Sequence, residues 1–178
     1  QAFNGCVKLT DVTLGKNVEK IGDYAFYGCS SLQSLALPET VKSIGMQAFH
    51  KTLFAARAED DIIYVGKWAV GCTNTMTSDV VLKEGTIGIA DYTFYNCLFI
   101  GNVTFRDTVK YIGYGAFYNC MTLAVEAFPA NLKDIGDYAF FNSNVGEYCD
   151  IPALDGVKEI GKYAFAYTKI TSLEIPAG

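Results

Sequence analysis

The 178-residue chain has one histidine, one tryptophan, four prolines and only 19% charged residues, and its acids outnumber its bases by 19 to 14. Each shortage closes off a class of function. A formal net charge of -5 and a pI near 4.8 speak against a nucleic-acid surface, which needs a dense basic patch to displace counterions. With His50 the only histidine, the usual metal clusters are ruled out, and the one candidate base has no oriented nucleophile beside it. No Cys-x-x-Cys pair offers a structural zinc site, and no glycine loop precedes a helix to cradle a phosphate. The acidic run Glu59-Asp60-Asp61 lacks the alternating oxygen ligands and the glycine of a calcium loop, so it reads as a solvated turn. No stretch approaches the roughly 18 consecutive apolar residues that span a bilayer, so membrane insertion of this segment is not expected. The residues therefore predict no cofactor, no metal and no catalytic site.

What the chain does have is repetition. Ile21-Gly22-Asp23-Tyr24-Ala25-Phe26 recurs around Ile44, Ile89, Ile112, Ile135 and Ile160, at steps of 23, 45, 23, 23 and 25 residues, the step of 45 being close to two repeats. A period of that length means a solenoid, in which each unit buries its apolar face only against its neighbours. With 51% hydrophobic residues and no composition shift, the chain reads as one domain over residues 1–178. Both ends fall inside a repeat and the chain opens at Gln1 with no leader, so we expect a piece of a longer protein.

Within one unit, Leu35-Ala36-Leu37 alternates as a short strand with its leucines inward. Its counterparts lie near 12–14, 80–82, 103–105, 149–151 and 173–175, and stacking them predicts one long parallel sheet. Pro38, Pro129, Pro152 and Pro176 follow as corner residues. Val41-Lys42-Ser43-Ile44 is a second short extended run, and Gly-x-x-Ala-Phe beyond it is expected to form a single helical or 3₁₀ turn. Ala90 once replaces the repeat glycine, so close packing explains that position better than positive φ. Glu126 stands where Leu35 predicts an inward residue, and Val125 beside it implies a register shift. Ile62-Ile63-Tyr64-Val65 and Trp68-Ala69-Val70, flanking Gly66-Lys67, read as a β-hairpin excursion within an irregular coil at about 53–77.

The pattern Ile-Gly-x-x-Ala-Phe-x-x-Cys-x-x-Leu-x-x-Leu-x-Leu-Pro-x-x-Val-Lys, complete in residues 21–42, resembles the BspA-type leucine-rich repeats. The expected fold is thus a leucine-rich-repeat-like solenoid, a right-handed stack of about 23-residue coils with a long parallel sheet, short helical or 3₁₀ turns and one hairpin. The resemblance implies a secreted or cell-surface protein of bacteria or some protozoa, implicated in adhesion to host proteins or other cells.

Four rows of side chains remain as candidates for chemistry. Cys6, Cys29, Cys97 and Cys120 share one register position, expected as a small buried slot of free thiols, while an extracellular setting favours disulfides; Cys72 and Cys149 lie off it. Tyr24, Tyr92, Tyr138 and Tyr163, with Tyr27, Tyr95 and Tyr118, either roof the core or form an aromatic strip for a glycan or protein. His50 falls in the second of those rows, at a packing or rim position. Lys42, Lys110, Lys133 and Lys158 are expected to form a solvated face ion-paired with Asp23, Asp91, Asp137 and nearby acids, the alternative being a groove for an anionic ligand. Outward strand positions vary from coil to coil, so the candidate binding face is Asp11, Thr13, Ser34, Asp79, Asn102, Thr104, Tyr148, Asp150, Ser172 and Glu174. The leading functional expectation is a non-catalytic module binding a protein or glycan outside the cell. The alternative is a structural spacer or stalk for another domain.

Overall fold

A computed structural model of the chain describes residues 1–73, 79–146, 154 and 156–174. Its strands, in chain order, are β1 (Asp11–Thr13), β2 (Lys20–Ile21), β3 (Ser34–Ala36), β4 (Ser43–Ile44), β5 (Ile62–Val65) and β6 (Trp68–Cys72), then β7 (Val80–Val81), β8 (Gly88–Ile89), β9 (Val103–Thr104), β10 (Tyr111–Ile112), β11 (Asp134–Ile135) and β12 (Glu159–Ile160). Equivalent strands of successive coils pair in parallel and in register, Val12 with Leu35, Ile21 with Ile44 and Ile112 with Ile135. The chain is therefore a β-solenoid built on the repeat.

The most continuous sheet is not the one expected. Among the described residues the Leu-x-Leu segments give the strand pairs β1–β3 and β7–β9, whereas the second extended run, with the hairpin strands β5 and β6, supplies a six-stranded sheet in the order β12-β11-β10-β8-β6-β5, with β2–β4 separate. The physical reason is register. At the first segment Asn102 bridges Ala124, one residue short of the 23-residue step, so Val125 is buried and Glu126 is exposed, the shift read from the sequence. At the second segment Ile89, Ile112, Ile135 and Ile160 stay paired in register from coil to coil. The predicted segments 149–151 and residue 175 lie outside the described residues.

Close packing is set by the glycine after the repeat isoleucine. A Cβ at Gly136 would lie 2.7 Å from Gly113 C and 2.7 Å from Tyr114 N, and one at Gly161 would lie 2.3 Å from Asp137 N. None of these glycines needs positive φ, as the Ala90 exchange implied. Behind them the Phe row stacks along the core: Phe3, Phe26 and Phe49 at 5.2 and 5.4 Å, then Phe94, Phe117, Phe140 and Phe165 at 4.9, 5.1 and 5.3 Å.

The Gly-x-x-Ala-Phe turn corrects a second expectation, for it is neither helical nor 3₁₀. The N–H groups of Tyr24, Phe26 and Gly28 donate to the carbonyls of Met46, Ala48 and His50 in the next coil at 2.9, 2.8 and 2.9 Å. Those of Ala25, Tyr27 and Cys29 close local turns on Gly22, Tyr24 and Phe26 at 3.2, 3.2 and 3.1 Å. Left-handed residues produce this alternation: Tyr24, Gln47, Tyr92, Gly115, Tyr138 and Tyr163 all have φ between 51° and 57°. Five of these six carry a Cβ, and left-handed φ costs an L-residue about 1–2 kcal/mol, which the intercoil bonds must offset. Among the described residues the 3₁₀ helix is Leu53–Ala56, inside the irregular coil.

That coil carries the hairpin predicted from Gly66-Lys67, with Gly66 at φ 58° and β5 antiparallel to β6. Its outgoing strand does not project outward; β6 pairs in parallel with β8, Trp68 against Gly88 and Ala69 against Ile89. The hairpin thus replaces one strand of the ladder, which explains a step close to two repeats. Trp68 is 1% exposed and stacks on Tyr111 at 5.9 Å. A Cβ at Gly88 would lie 2.5 Å from the indole, so Gly88 makes room for it.

Gly136→Ala should destabilise the protein by about 1–3 kcal/mol, because its methyl group meets backbone on the neighbouring coil. Gly15→Ala, with nothing within 4 Å, should stay within about 0.5 kcal/mol. Denaturant midpoints of the two variants test the packing role of the repeat glycine.

Candidate functional site

The outward strand residues fall where the alternation placed them. Asp11, Thr13, Ser34, Asp79, Thr104, Ser172 and Glu174 are exposed and Asn102 is half-buried, while the inward neighbours Leu35, Val80 and Val103 are buried. Tyr148 and Asp150 lie outside the described residues. The structure joins these candidates in two groups. Asp11 pairs with Ser34 in β1–β3, and Asp79 Oδ1 accepts the Asn102 N–H at 2.7 Å beside β7–β9. The two ladders are separate sheets, so the expected face is interrupted at the irregular coil.

A concave site forms at that interruption. A cleft of about 680 Å³ is lined by Ile63, Val70, Gly71 and Cys72 of the hairpin, by Gln47, Phe49 and His50, and by Asp91, Tyr92, Tyr95, Tyr114, Tyr118 and Tyr138. The tyrosines arrive by stacking. Rings of Tyr92, Tyr114, Tyr138 and Tyr163 follow one another at 5.2, 5.5 and 5.2 Å, and Tyr95, Tyr118 and Phe141 at 5.4 and 4.8 Å. These rows divide by burial: Tyr92, Tyr118 and Tyr138 are half-buried, whereas Tyr95, Tyr114 and Tyr163 are 47%, 37% and 61% exposed. Burial, with the adjacent Tyr114 hydroxyl, pushes Tyr92 up to about 12, so it presents a neutral donor and acceptor. His50 sits on the rim, stacked on Tyr27 at 5.5 Å. Trp68 of the hairpin is buried and cannot touch a ligand.

The sequence named the tyrosines and the hairpin but not their meeting. The signal was present as the break in the repeat, because the hairpin strand takes a place in the stack beside Tyr92. A second missed feature is the Asn96, Asn119 and Asn142 row, which forms a side-chain ladder, Asn119 Nδ2 donating to Asn96 Oδ1 at 2.9 Å and Asn142 Nδ2 to Asn119 Oδ1 at 2.5 Å. These residues occupy left-handed positions, where asparagine is tolerated.

Of the acids expected to neutralise the lysine row, a nearby glutamate does so at Lys42 and the aspartates do not. Oδ1 of Asp23, Asp91 and Asp137 instead accepts the N–H of Met46, Tyr114 and Lys162 in the next coil, at 3.0, 2.8 and 2.7 Å. Lys42 pairs with Glu19 at 3.0 Å, an exposed contact worth little. The cysteine row is also uneven: Cys29 and Cys120 are buried, Cys97 is half-buried, and Cys6 is exposed. Cys149 lies outside the described residues. Among the described residues no group of three or more His, Cys, Asp and Glu could hold a metal ion, and no helix is long and apolar enough to cross a membrane.

Asp91 carries a pH dependence. Burial raises its carboxyl to about 6 from an ordinary 3.8, against the opposing Tyr114 N–H, with Asp23 adding to the rise and Lys20 opposing it. The folded state then binds this proton more tightly than the unfolded chain, so this contribution to stability is full below about pH 4 and is lost as pH rises to about 6. Asp91→Asn keeps the acceptor and removes the charge. It should flatten the pH 4–6 slope of the denaturation midpoint and raise stability at pH 7 by about 1 kcal/mol, a figure discounted for partial solvent screening.

The BspA type leucine rich repeat region model matches residues 1–79 and 70–178, in six copies. Among solved structures, the pneumococcal vaccine antigen PcpA is 18% identical with a TM-score of 0.61, over 94% of this chain and 51% of its own. This chain therefore spans about half the length of that protein, and the likeness is one of fold. A leucine-rich repeat protein of T. pallidum is 28% identical over 90% of this chain and 64% of its own, with a TM-score of 0.39. A leucine-rich cell surface protein of Faecalibacterium prausnitzii is 23% identical over 99% and 62%, with a TM-score of 0.45. None of the curated proteins matches. With the repeat model covering the chain from end to end, this protein belongs to the BspA-type leucine-rich repeat family.

Proposed function

We propose that this chain is a non-catalytic interaction module, displayed outside the cell, that holds a protein or glycan in the tyrosine-lined cleft beside the hairpin. The observation that carries this reading is the cleft itself, about 680 Å³ of concave surface where aromatic rings remain open to solvent. Tyrosine gives such a site a flat apolar body with a polar tip, suited to sugar rings or to uncharged peptide. Gln47, His50 and Asp91 add polar groups, and among the described residues no lysine or arginine lines the cleft, which disfavours a polyanion. The family's surface proteins support the extracellular setting. The outward strand face, with Asp11, Thr13 and Ser34 in one patch and Asp79, Asn102 and Thr104 in another, is the competing contact surface for a protein partner.

Screening the purified chain against matrix proteins and a glycan array supplies the ligand. Tyr95→Ala combined with Tyr114→Ala should then weaken binding by about tenfold or more with the circular dichroism spectrum unchanged. Asp11→Ala with Thr13→Ala should leave affinity as it was. The reverse pattern would transfer the site to the strand face, and binding to nothing on either array would favour the spacer.

A further inference from the structure

Two cysteines of the shared register position make the same contact. Cys29 Sγ lies 3.0 Å from the Phe3 carbonyl oxygen, and Cys120 Sγ 3.0 Å from that of Phe94, so each buried thiol donates along the stack to an earlier coil. Cys97 holds that register position too, but the neighbouring segment on its side includes the end of the hairpin. There Cys72, the last residue of β6, brings its sulfur within 3.3 Å of Cys97 Sγ. Both residues are half-buried rather than enclosed, and both line a second open cleft of about 360 Å³ with Tyr95, Asn96, Leu98 and Phe99. A small reagent can reach this pair; the Cys29 and Cys120 thiols are shut in.

We propose that Cys72 and Cys97 form a disulfide that clasps the outgoing strand of the hairpin to the solenoid. The oxidant is a low-molecular-weight dialkyl disulfide such as oxidised glutathione. The Cys97 thiolate attacks one of its sulfurs, forming a mixed disulfide and expelling one thiolate. Cys72, as thiolate, then attacks Cys97 Sγ, closing the protein disulfide and expelling the second. The two cysteines lose two electrons and two protons, and the reagent leaves as two thiols. Either thiol can donate in the Sγ–Sγ contact; with Cys97 as the acceptor its thiol is held below the ordinary range and attacks first, while burial helps to raise Cys72.

This assignment does not depend on the proposed ligand site, although it bears on it. Cys72 also lines the tyrosine cleft, so the bond would fix the hairpin wall against the coil that carries Tyr95. Joining residues 25 apart in sequence restricts the unfolded chain, so oxidation should raise the melting temperature.

The test uses the whole chain, first reduced and then incubated natively with oxidised glutathione. Remaining thiols are blocked with N-ethylmaleimide before non-reducing digestion and mass spectrometry. The expected result is a cross-linked peptide pair containing Cys72 and Cys97, with Cys29 and Cys120 alkylated only after denaturation and a melting temperature several degrees higher. Cys72→Ser and Cys97→Ser should each abolish the oxidant-dependent rise; should either fail to fold, the peptide map of the unmutated chain decides. Maleimide on both Cys72 and Cys97 would overturn the proposal. So would a lasting glutathione adduct at Cys97, or a bond from Cys97 to Cys120.

Discussion

Each coil of this protein leaves alternate N–H groups of its turn for the next coil to satisfy. The Tyr24, Phe26 and Gly28 donors, and their counterparts at Tyr92, Phe94 and Asn96, reach carbonyls one repeat away. A buried N–H without a partner costs about as much as a lost hydrogen bond, so no coil of this kind is stable alone. Left-handed φ at two positions per turn makes the alternation possible, and the intercoil bonds keep tyrosine, asparagine and even lysine in that conformation. Stacking is thus a requirement of the backbone before it is a matter of hydrophobic burial. The glycine that lets coils approach and the Phe row that fills the space between them serve the same contact.

The irregular coil shows what happens when one unit cannot meet that requirement in the ordinary way. The neighbouring coils have isoleucine edges that need a strand between them, and β6 fills the place with the Trp68 side chain accommodated by Gly88. Asp91 N–H reaches past the substitution to the Ile44 carbonyl at 2.9 Å, tying the flanking coils directly. The apolar core divides at this point into two clusters, with Trp68 and Val65 on one side and Ala69 and Ile89 on the other. The tyrosine cleft, the buried charge of Asp91 and the Cys72–Cys97 contact all lie here. The proposed site and the irregularity coincide because a regular stack presents a nearly flat ladder, whereas a misfit unit leaves a hollow.

Polar side chains in the stack are used mainly on the backbone. The Asp23, Asp91 and Asp137 carboxylates cap the next coil's N–H, and Thr40 Oγ1 donates to the carbonyls of Lys16 and Val18 at 2.9 and 2.8 Å. Such contacts fix the coil spacing, and they explain why the lysines do not find their partners in the aspartate row. Glu19, one coil earlier, takes Lys42 instead, and Glu39 takes the hairpin Lys67, both in exposed pairs that contribute little to stability.

The sequence alone determined the solenoid, its period, the inward isoleucines and phenylalanines, the hairpin turn at Gly66-Lys67 and the register shift at Val125. Those features are local or periodic, and a hydrophobic spacing or a turn glycine carries them without reference to anything distant. Tertiary structure decided which extended run makes the long sheet, because a one-residue slip near Ala124 is small in sequence yet ends a ladder. It decided that Gly-x-x-Ala-Phe is a left-handed turn feeding the next coil, since tyrosine gives no warning of positive φ. It also decided that Cys72 and Tyr92 line one cleft. Proximity between residues of a hairpin and of a later coil depends on how the hairpin enters the stack, and a repeat pattern is silent about the one unit that breaks it.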